Sequence, residues 1–332
     1  MTIVVMRLPK KPGPPKSGCH VRGPGGAAGL FPRGFRGFVG IARTILCIMA
    51  EMKRGEKVAI VTSGGGMKCA YAAGALVALA KKLGYTEPDI FVSASGSVGA
   101  MFYYLAGQYD DVAKVWLRYV PSPEIVTSFP PRLRLDYVVD TILRRELPLD
   151  QERLRATKTR WFVPVTDLDT GHTEYVTNST WFDPYEVMRA AKAIPILYGG
   201  AVRLGGKRYI DGDINVNMAD LVRKARKEGA TKILVLANAT RLSWSTEWFI
   251  RFMAFFSSPM IRHLVLNDIT RDEWDHLPGD VEIVVVSPYY PLPTGLFTRV
   301  RRKVAEAYQM GHDDLLGKRR ELEAFLGLGS TL

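Results

Sequence analysis

From Lys57 onward, short runs of β-branched and other apolar residues alternate with longer stretches of helical apolar spacing, the pattern of an α/β domain on a mainly parallel sheet. Val58 to Thr62 reads as the first strand, followed by Ser63-Gly64-Gly65-Gly66 and a helix from about Met67 to Leu83 that Gly84 closes. Ile90 to Ser93 reads as the second strand, followed by Ala94-Ser95-Gly96-Ser97-Val98-Gly99 and a helix through Ala106. The unit of strand, glycine turn and helix thus occurs twice in succession. Asp110 to Leu154 is expected to be mostly helical, with breaks at Pro121, Pro123, Pro130 and Pro131. Two strands, Trp161 to Asp167 and Thr173 to Val176, flank the turn Asp169-Thr170-Gly171. Later elements are a helix at Pro184 to Lys192, a hairpin around Gly205-Gly206, strands at Lys232 to Ala237 and Glu282 to Ser287, and a C-terminal helix from about Phe297 to Leu326.

Before Lys57 this pattern is missing. Arg7, Lys10, Lys11, Lys16, Arg22, Arg33, Arg36 and Arg43 stand among prolines and glycines, and no acidic residue precedes Glu51. Such a composition has little apolar surface from which to build a packed element, so residues 1–53 are expected to be disordered. Both a targeting peptide and a start codon placed upstream of Met49 or Met52 fit it. The segment also accounts for much of the net charge of +12, leaving a mildly basic remainder. With no internal repeat and no linker, one domain over 54–290 is expected, with 291–332 as a helical extension packed on it. No stretch offers the ~20 uninterrupted apolar residues of a bilayer span. Three scattered cysteines, Cys19, Cys47 and Cys69, fit neither a disulfide framework nor a metal site, and point to a reducing compartment.

Three short segments carry candidate chemistry. Ser95-Gly96-Ser97-Val98-Gly99 has the small-residue pattern of a nucleophile elbow, G-x-S-x-G, with serine at the first glycine position. A serine there stands at a helix N-terminus, where free N–H groups and the dipole favour a developing oxyanion; an ordinary Gly/Ser turn has the same composition. Gly64-Gly65-Gly66-Met67-Lys68 offers consecutive unencumbered N–H groups between a strand and a helix, suited to an oxyanion or a phosphate. Its spacing departs from the phosphate-loop pattern, since Cys69 follows the lysine, and a dinucleotide-binding reading lacks an acidic residue at Ser93. Tyr209-Ile210-Asp211-Gly212-Asp213 puts a carboxylate at a strand end before a glycine, which on its own is also a common turn.

Taken in order, a G-G-G-x-[RK] loop, an elbow serine and a D-G-[GA] aspartate resemble the patatin-like phospholipases. Arg189-Ala190-Ala191-Lys192-Ala193-Ile194-Pro195 is similar to the family segment R-A-S-x-A-x-P before the aspartate. The likeness runs from about Val58 to Met218. Three positions depart from it: Ser95 replaces the first elbow glycine, Cys69 replaces a glycine after the basic residue, and Asp213 replaces the last residue of D-G-[GA]. A second carboxylate beside Asp211 is expected to raise the pKa of one of the two.

The resemblance implies a three-layer α/β/α fold and a serine lipid acyl hydrolase, a carboxylic ester hydrolase of phospholipase A or esterase type. It implies a Ser97–Asp211 dyad and an acyl-enzyme, with Gly64, Gly65, Gly66 and Val98 around the oxyanion and Met67, Lys68, Gly99 and Gly212 in supporting positions. The dyad needs no metal and no cofactor. Two rivals stand beside it: a Ser-Asp-His triad using His263, His276 or His312, and a non-enzymatic phosphoanion-binding module. His20 and His172 fall in no motif. The aromatic run Trp244, Trp248, Phe249, Phe252, Met253, Phe255, Phe256, with Arg241, Arg251 and Arg262 nearby, reads either as a peripheral membrane contact over 241–262 or as a packing helix. The expected partner is a lipid or ester substrate, with no nucleic acid, and the expected location is cytoplasmic, with peripheral contact to the membrane.

Overall fold

The computed structural model describes residues 55–127, 132–180, 182–238, 244–270 and 274–329. The basic segment expected to be disordered and the start-codon and targeting readings lie outside these residues.

Eight strands form one sheet: β1 (Val58–Thr62), β2 (Ile90–Ser93), β3 (Arg160–Asp167), β4 (Thr173–Thr177), β5 (Val202–Leu204), β6 (Lys207–Asp211), β7 (Lys232–Leu236) and β8 (Glu282–Val286). Their order is β5-β6-β3-β2-β1-β7-β8, with β4 also on β3. The strands β3, β2, β1, β7 and β8 run parallel to one another, whereas β4 and β6 pair antiparallel with β3 and β5 antiparallel with β6. β1 and β2 are buried along their whole length, as strands covered on both faces must be.

Alternation divides the central strands between two layers. Ile60, Phe91 and Leu234 face helices α1 (Ala70–Leu83), α2 (Ser97–Leu105) and α3 (Tyr109–Lys114). Ala59, Val61, Ile90, Val92, Ile233 and Val235 face the other way. The chain is therefore an α/β/α protein with a mostly parallel central sheet, in agreement with the expected class. Further helices are α4 (Gln151–Ala156), α5 (Pro184–Ala190), α6 (Pro195–Tyr198), α7 (Met218–Lys227), α8 (Trp244–Phe255), α9 (Pro259–Thr270), α10 (Arg301–Gly317) and α11 (Arg319–Leu326). α7 covers the second face through Met218, Leu221, Val222 and Ala225, and starts at a capping box in which Asn217 and Asp220 satisfy each other's backbone N–H.

Several boundaries differ from the periodicity. The first helix begins at Ala70, because Gly66–Cys69 forms a tighter 3-10 turn. Between Asp110 and Leu154 the widened π-helical turns Val115–Tyr119 and Tyr137–Glu146 replace a regular helix. The C-terminal helix is two helices that meet at Lys318.

α10 lies on α1 at backbone contact. A Cβ on Gly74 would stand 1.9 Å from the Tyr308 carbonyl oxygen, and one on Gly311 would stand 1.9 Å from that of Tyr71. The two glycines are reciprocal, each making room for the other helix. Tyr71 Oη then donates to Asp314 Oδ2 at 2.8 Å across the same seam. No helix among the described residues is long and apolar enough to cross a membrane.

Candidate active site

The two glycine turns lie side by side at the carboxyl ends of β1 and β2, where ligand sites of open α/β sheets form. A Cβ on Gly96 would meet Cys69 Sγ at 2.8 Å and the Gly66 carbonyl oxygen at 3.0 Å, so this close approach requires glycine.

Strand register decides which serine meets the aspartate. β2 pairs with β3 with Val92 opposite Phe162, and β6 pairs with β3 with Asp211 opposite Val165. β4 occupies the other edge of β3 at both Phe162 and Val165, so β2 and β6 share one edge. Continued by three residues, the β2 register puts Ser95 level with Val165, the residue facing Asp211. Ser95 Oγ donates to Asp211 Oδ2 at 2.6 Å. Its backbone has φ 47, the left-handed region that a serine enters at a cost of order 1–3 kcal/mol and that marks a tight, overdetermined turn.

Ser97, expected to pair with Asp211, makes other contacts. Ser97 is the first residue of α2 and fully buried, and its hydroxyl donates to the Ser63 carbonyl oxygen at 2.7 Å. Asn238, just beyond β7, donates through Nδ2 to Ser97 Oγ at 3.3 Å, to Ser63 O at 2.8 Å and to Gly64 O at 3.1 Å. Its Oδ1 accepts the Ala72 N–H at 3.1 Å. Ser97 and Asn238 thus brace the glycine loop from below. Nothing near Asn238 in the sequence has a motif; its place follows from β1–β7 pairing, which sets Thr62 opposite Leu236.

Asp211 is fully buried behind Ser95. Its carboxylate also accepts the Asp213 N–H at 3.0 Å, and its own N–H donates to the Ala193 carbonyl oxygen at 3.1 Å. Burial pushes its pKa up to about 6, against the opposing pull of the Ser95 and Asp213 hydrogen bonds and of the Lys192 charge. Asp213 points elsewhere, accepting the Gly64 N–H at 3.3 Å through Oδ1. Gly212 is required, since a Cβ there would stand 2.3 Å from the Pro164 carbonyl.

The expected oxyanion donors divide. The Gly64 N–H is engaged by Asp213, and the Val98 N–H donates to the Ser95 carbonyl oxygen at 3.2 Å, so neither is open. Gly65 and Gly66 turn through φ 125 and φ 58, and no partner for their N–H groups, or for that of Gly96, is found among the described residues. The Met67 N–H donates to the Leu296 carbonyl oxygen at 3.3 Å, so residues after β8 cover the loop. A phosphate in this loop would face a carboxylate and a carbonyl oxygen, which weakens the phosphoanion reading. Lys68 is buried, and burial holds the Cys69 thiol up at about 12, where it stays protonated.

Ser95, Gly66, Met67, Gly99, Trp116 and Lys192 line a cavity of about 100 Å³ whose remaining wall is almost entirely aliphatic. The histidines of the rival triad stand elsewhere: His263 against Asn267, His276 against Asp275 and His312 against Asp313. Among the described residues no group of three or more His, Cys, Asp or Glu is placed to hold a metal.

A mostly parallel sheet whose second strand delivers a serine in the left-handed region to a buried carboxylate, beside an apolar cavity, defines an α/β/α protein with a serine–carboxylate pair at the carboxyl ends of its strands. Residues 60–219 match the family described as patatin-like phospholipase. The chain is 24% identical over 279 residues to the uncharacterized protein YjjU of Escherichia coli K12, covering 77% of this chain and 75% of the relative. Among solved structures it is similar to VipD from Legionella pneumophila, with a TM-score of 0.42 and 14% identity, over 80% of this chain and 67% of that one. A human GIVD cytosolic phospholipase A2 bound to a fluorophosphonate inhibitor has the same TM-score of 0.42 and 14% identity, over 82% of this chain; the match spans 59% of the human chain.

Proposed function

We propose that this protein is a lipid acyl hydrolase of the phospholipase A or esterase type, with Ser95 as nucleophile and Asp211 as base. The observation that carries the reading is the 2.6 Å hydrogen bond from Ser95 to a buried carboxylate at the wall of an apolar cavity. Ser95 Oγ attacks the ester carbonyl carbon as its proton passes to Asp211, and the tetrahedral oxyanion is received by the N–H groups of Gly65, Gly66 and Gly96. Collapse breaks the bond to the alcohol, which leaves with the proton from Asp211. Water then adds to the acyl-enzyme, giving its proton to Asp211, and collapse of this second intermediate breaks the bond to Ser95 Oγ, which takes that proton back from Asp211 as the carboxylic acid is released. A carboxylate whose pKa lies near 6 is a stronger base than an ordinary aspartate and still ionised at neutral pH. The family match supports a lipid ester as substrate, and the aliphatic cavity suits its acyl chain.

Trp244, Trp248, Phe252, Phe255 and Phe256 stand 81%, 59%, 49%, 65% and 70% exposed on and just after α8. That density of solvent-facing aromatic rings favours the membrane-contact reading of the segment over a packing helix. Arg262 lies over the Phe255 ring at 5.2 Å, where a cation can reach lipid phosphates. In this reading the face rests on the surface from which the substrate is drawn.

A fluorophosphonate probe with peptide mapping, beside a panel of phospholipid, neutral lipid and short-chain esters, tests the proposal. Covalent labelling at Ser95, lost in Ser95→Ala and Asp211→Asn, is expected. Absence of both labelling and hydrolysis in the wild type would sink it.

A further inference from the structure

Lys192 sits between α5 and α6 and, with Ser95 and Tyr103, is one of the few polar residues lining the otherwise aliphatic cavity. The residue as a whole is half-buried, yet Nζ itself is inaccessible and makes no hydrogen bond among the described residues. A buried cation without a partner is costly and calls for a reason. Its position is set from two sides. Ala193, the next residue, accepts the Asp211 N–H, which locks the Lys192 backbone beside β6. A Cβ on Gly99 would stand 3.9 Å from Nζ, an ordinary contact distance, so the side chain runs alongside the first turn of α2.

We propose that Lys192 is the positioning cation of the Ser95–Asp211 pair: its ammonium, held in the acyl cavity without a contact partner, keeps the buried Asp211 carboxylate ionised and aimed at Ser95. The inference rests on the reading of Ser95 and Asp211 as the reacting pair. The titratable and charged groups around them are few. After β6 stand Asp211 and Asp213, with Asp213 turned to the Gly64 N–H. The glycine loop contributes buried Lys68 and the protonated Cys69 thiol. α2 contributes only Tyr103, whose hydroxyl donates to the Leu143 carbonyl oxygen at 3.1 Å. Burial pulls the Lys192 pKa down to about 8, with Asp211 as the largest opposing charge, so the cation persists at neutral pH and is lost in mild alkali. The two groups together define a window, above about 6 and below about 8, in which the pair carries one negative and one positive charge.

The test compares wild type, Lys192→Met, Lys192→Gln and Lys192→Arg as full chains. Asp211 is titrated directly by carbon-13 carboxyl NMR, assigned through Asp211→Asn, and the rate of fluorophosphonate inactivation is followed from pH 5 to 9. Removing the cation is expected to move the Asp211 titration upward by about one unit, cutting inactivation at pH 6 by about fivefold and at pH 8.5 by less than about threefold. Lys192→Arg is expected to restore both. An Asp211 titration unmoved in Met and Gln variants of native circular dichroism overturns the inference, as does an equal loss of rate at every pH. Loss in Lys192→Arg as complete as in Lys192→Met overturns it too, by making Lys192 itself the base. If the wild type does not react with the probe, the hydrolase reading falls, while the carboxyl titration still decides whether Lys192 governs Asp211.

Discussion

Ser95 Oγ donates to Asp211 Oδ2, while Ser97, two residues later, donates to the backbone of Ser63. The two hydroxyls therefore have separable consequences. Ser95→Ala is expected to lower kcat by at least ~10³-fold, whereas Ser97→Ala keeps fluorophosphonate labelling and activity within about threefold. The Ser97 change costs about 1 kcal/mol of stability, because Asn238 still donates to the same carbonyl. Steady-state kinetics and urea denaturation of the two variants check this.

The left-handed backbone of Ser95 gives a second expectation. At most positions glycine is less stable than alanine, but where φ is positive the order reverses. Ser95→Gly should be more stable than Ser95→Ala by about 1 kcal/mol, although both are inactive. Comparing the two variants with each other removes the shared loss of the hydrogen bond to Asp211. Thermal melts that rank alanine above glycine would contradict the strained turn.

Asp211 links stability to pH. Its native pKa of about 6 lies above the ordinary 3.8, so the native state holds the proton more tightly than the unfolded chain does. Stability is therefore greatest with Asp211 protonated, falls as pH rises between about 4 and 6, and stays reduced above that window. Asp211→Asn should lose activity and gain on the order of 1–3 kcal/mol at pH 7, with the gain vanishing below pH 4. Denaturation at pH 4 and pH 7 measures both ends. Wild-type activity should rise through an acid limb near pH 6.

The seam between α1 and α10 has no room for a methyl group. Gly74→Ala or Gly311→Ala should each destabilise the protein by about 3 kcal/mol, against the usual stabilising sign of this substitution inside a helix. The melting temperature of each single variant is the measurement.

Much of the fold was legible because it is written locally. The β-branched runs of β1 and β2 and the glycine turns after them give strand, turn and helix without reference to the rest of the chain. α7 was missed although Asn217 and Asp220 carry a local capping signal. The site was legible only in part. Ser95 and Ser97 both have small neighbours two residues away on each side, so spacing alone does not separate them. What separates them is how far the strand runs before the helix begins and which residue β3 sets opposite Asp211, both of which depend on distant pairing. Asn238 reaches the site through the same non-local register with no motif to announce it, and Lys192 falls at the variable position of the Arg189–Pro195 segment, where the motif itself says nothing of a cation.

The Leu296 carbonyl that receives the Met67 N–H, and the helix face around Gly311 that receives α1, both come from the last forty residues of the chain. The serine, the aspartate and the glycine loop all precede, along the chain, the segment that covers the loop and the helix that supports α1. A chain cut before Leu296 would therefore keep the groups of the proposed site and lose both the cap on the glycine loop and the backing of the helix that follows it.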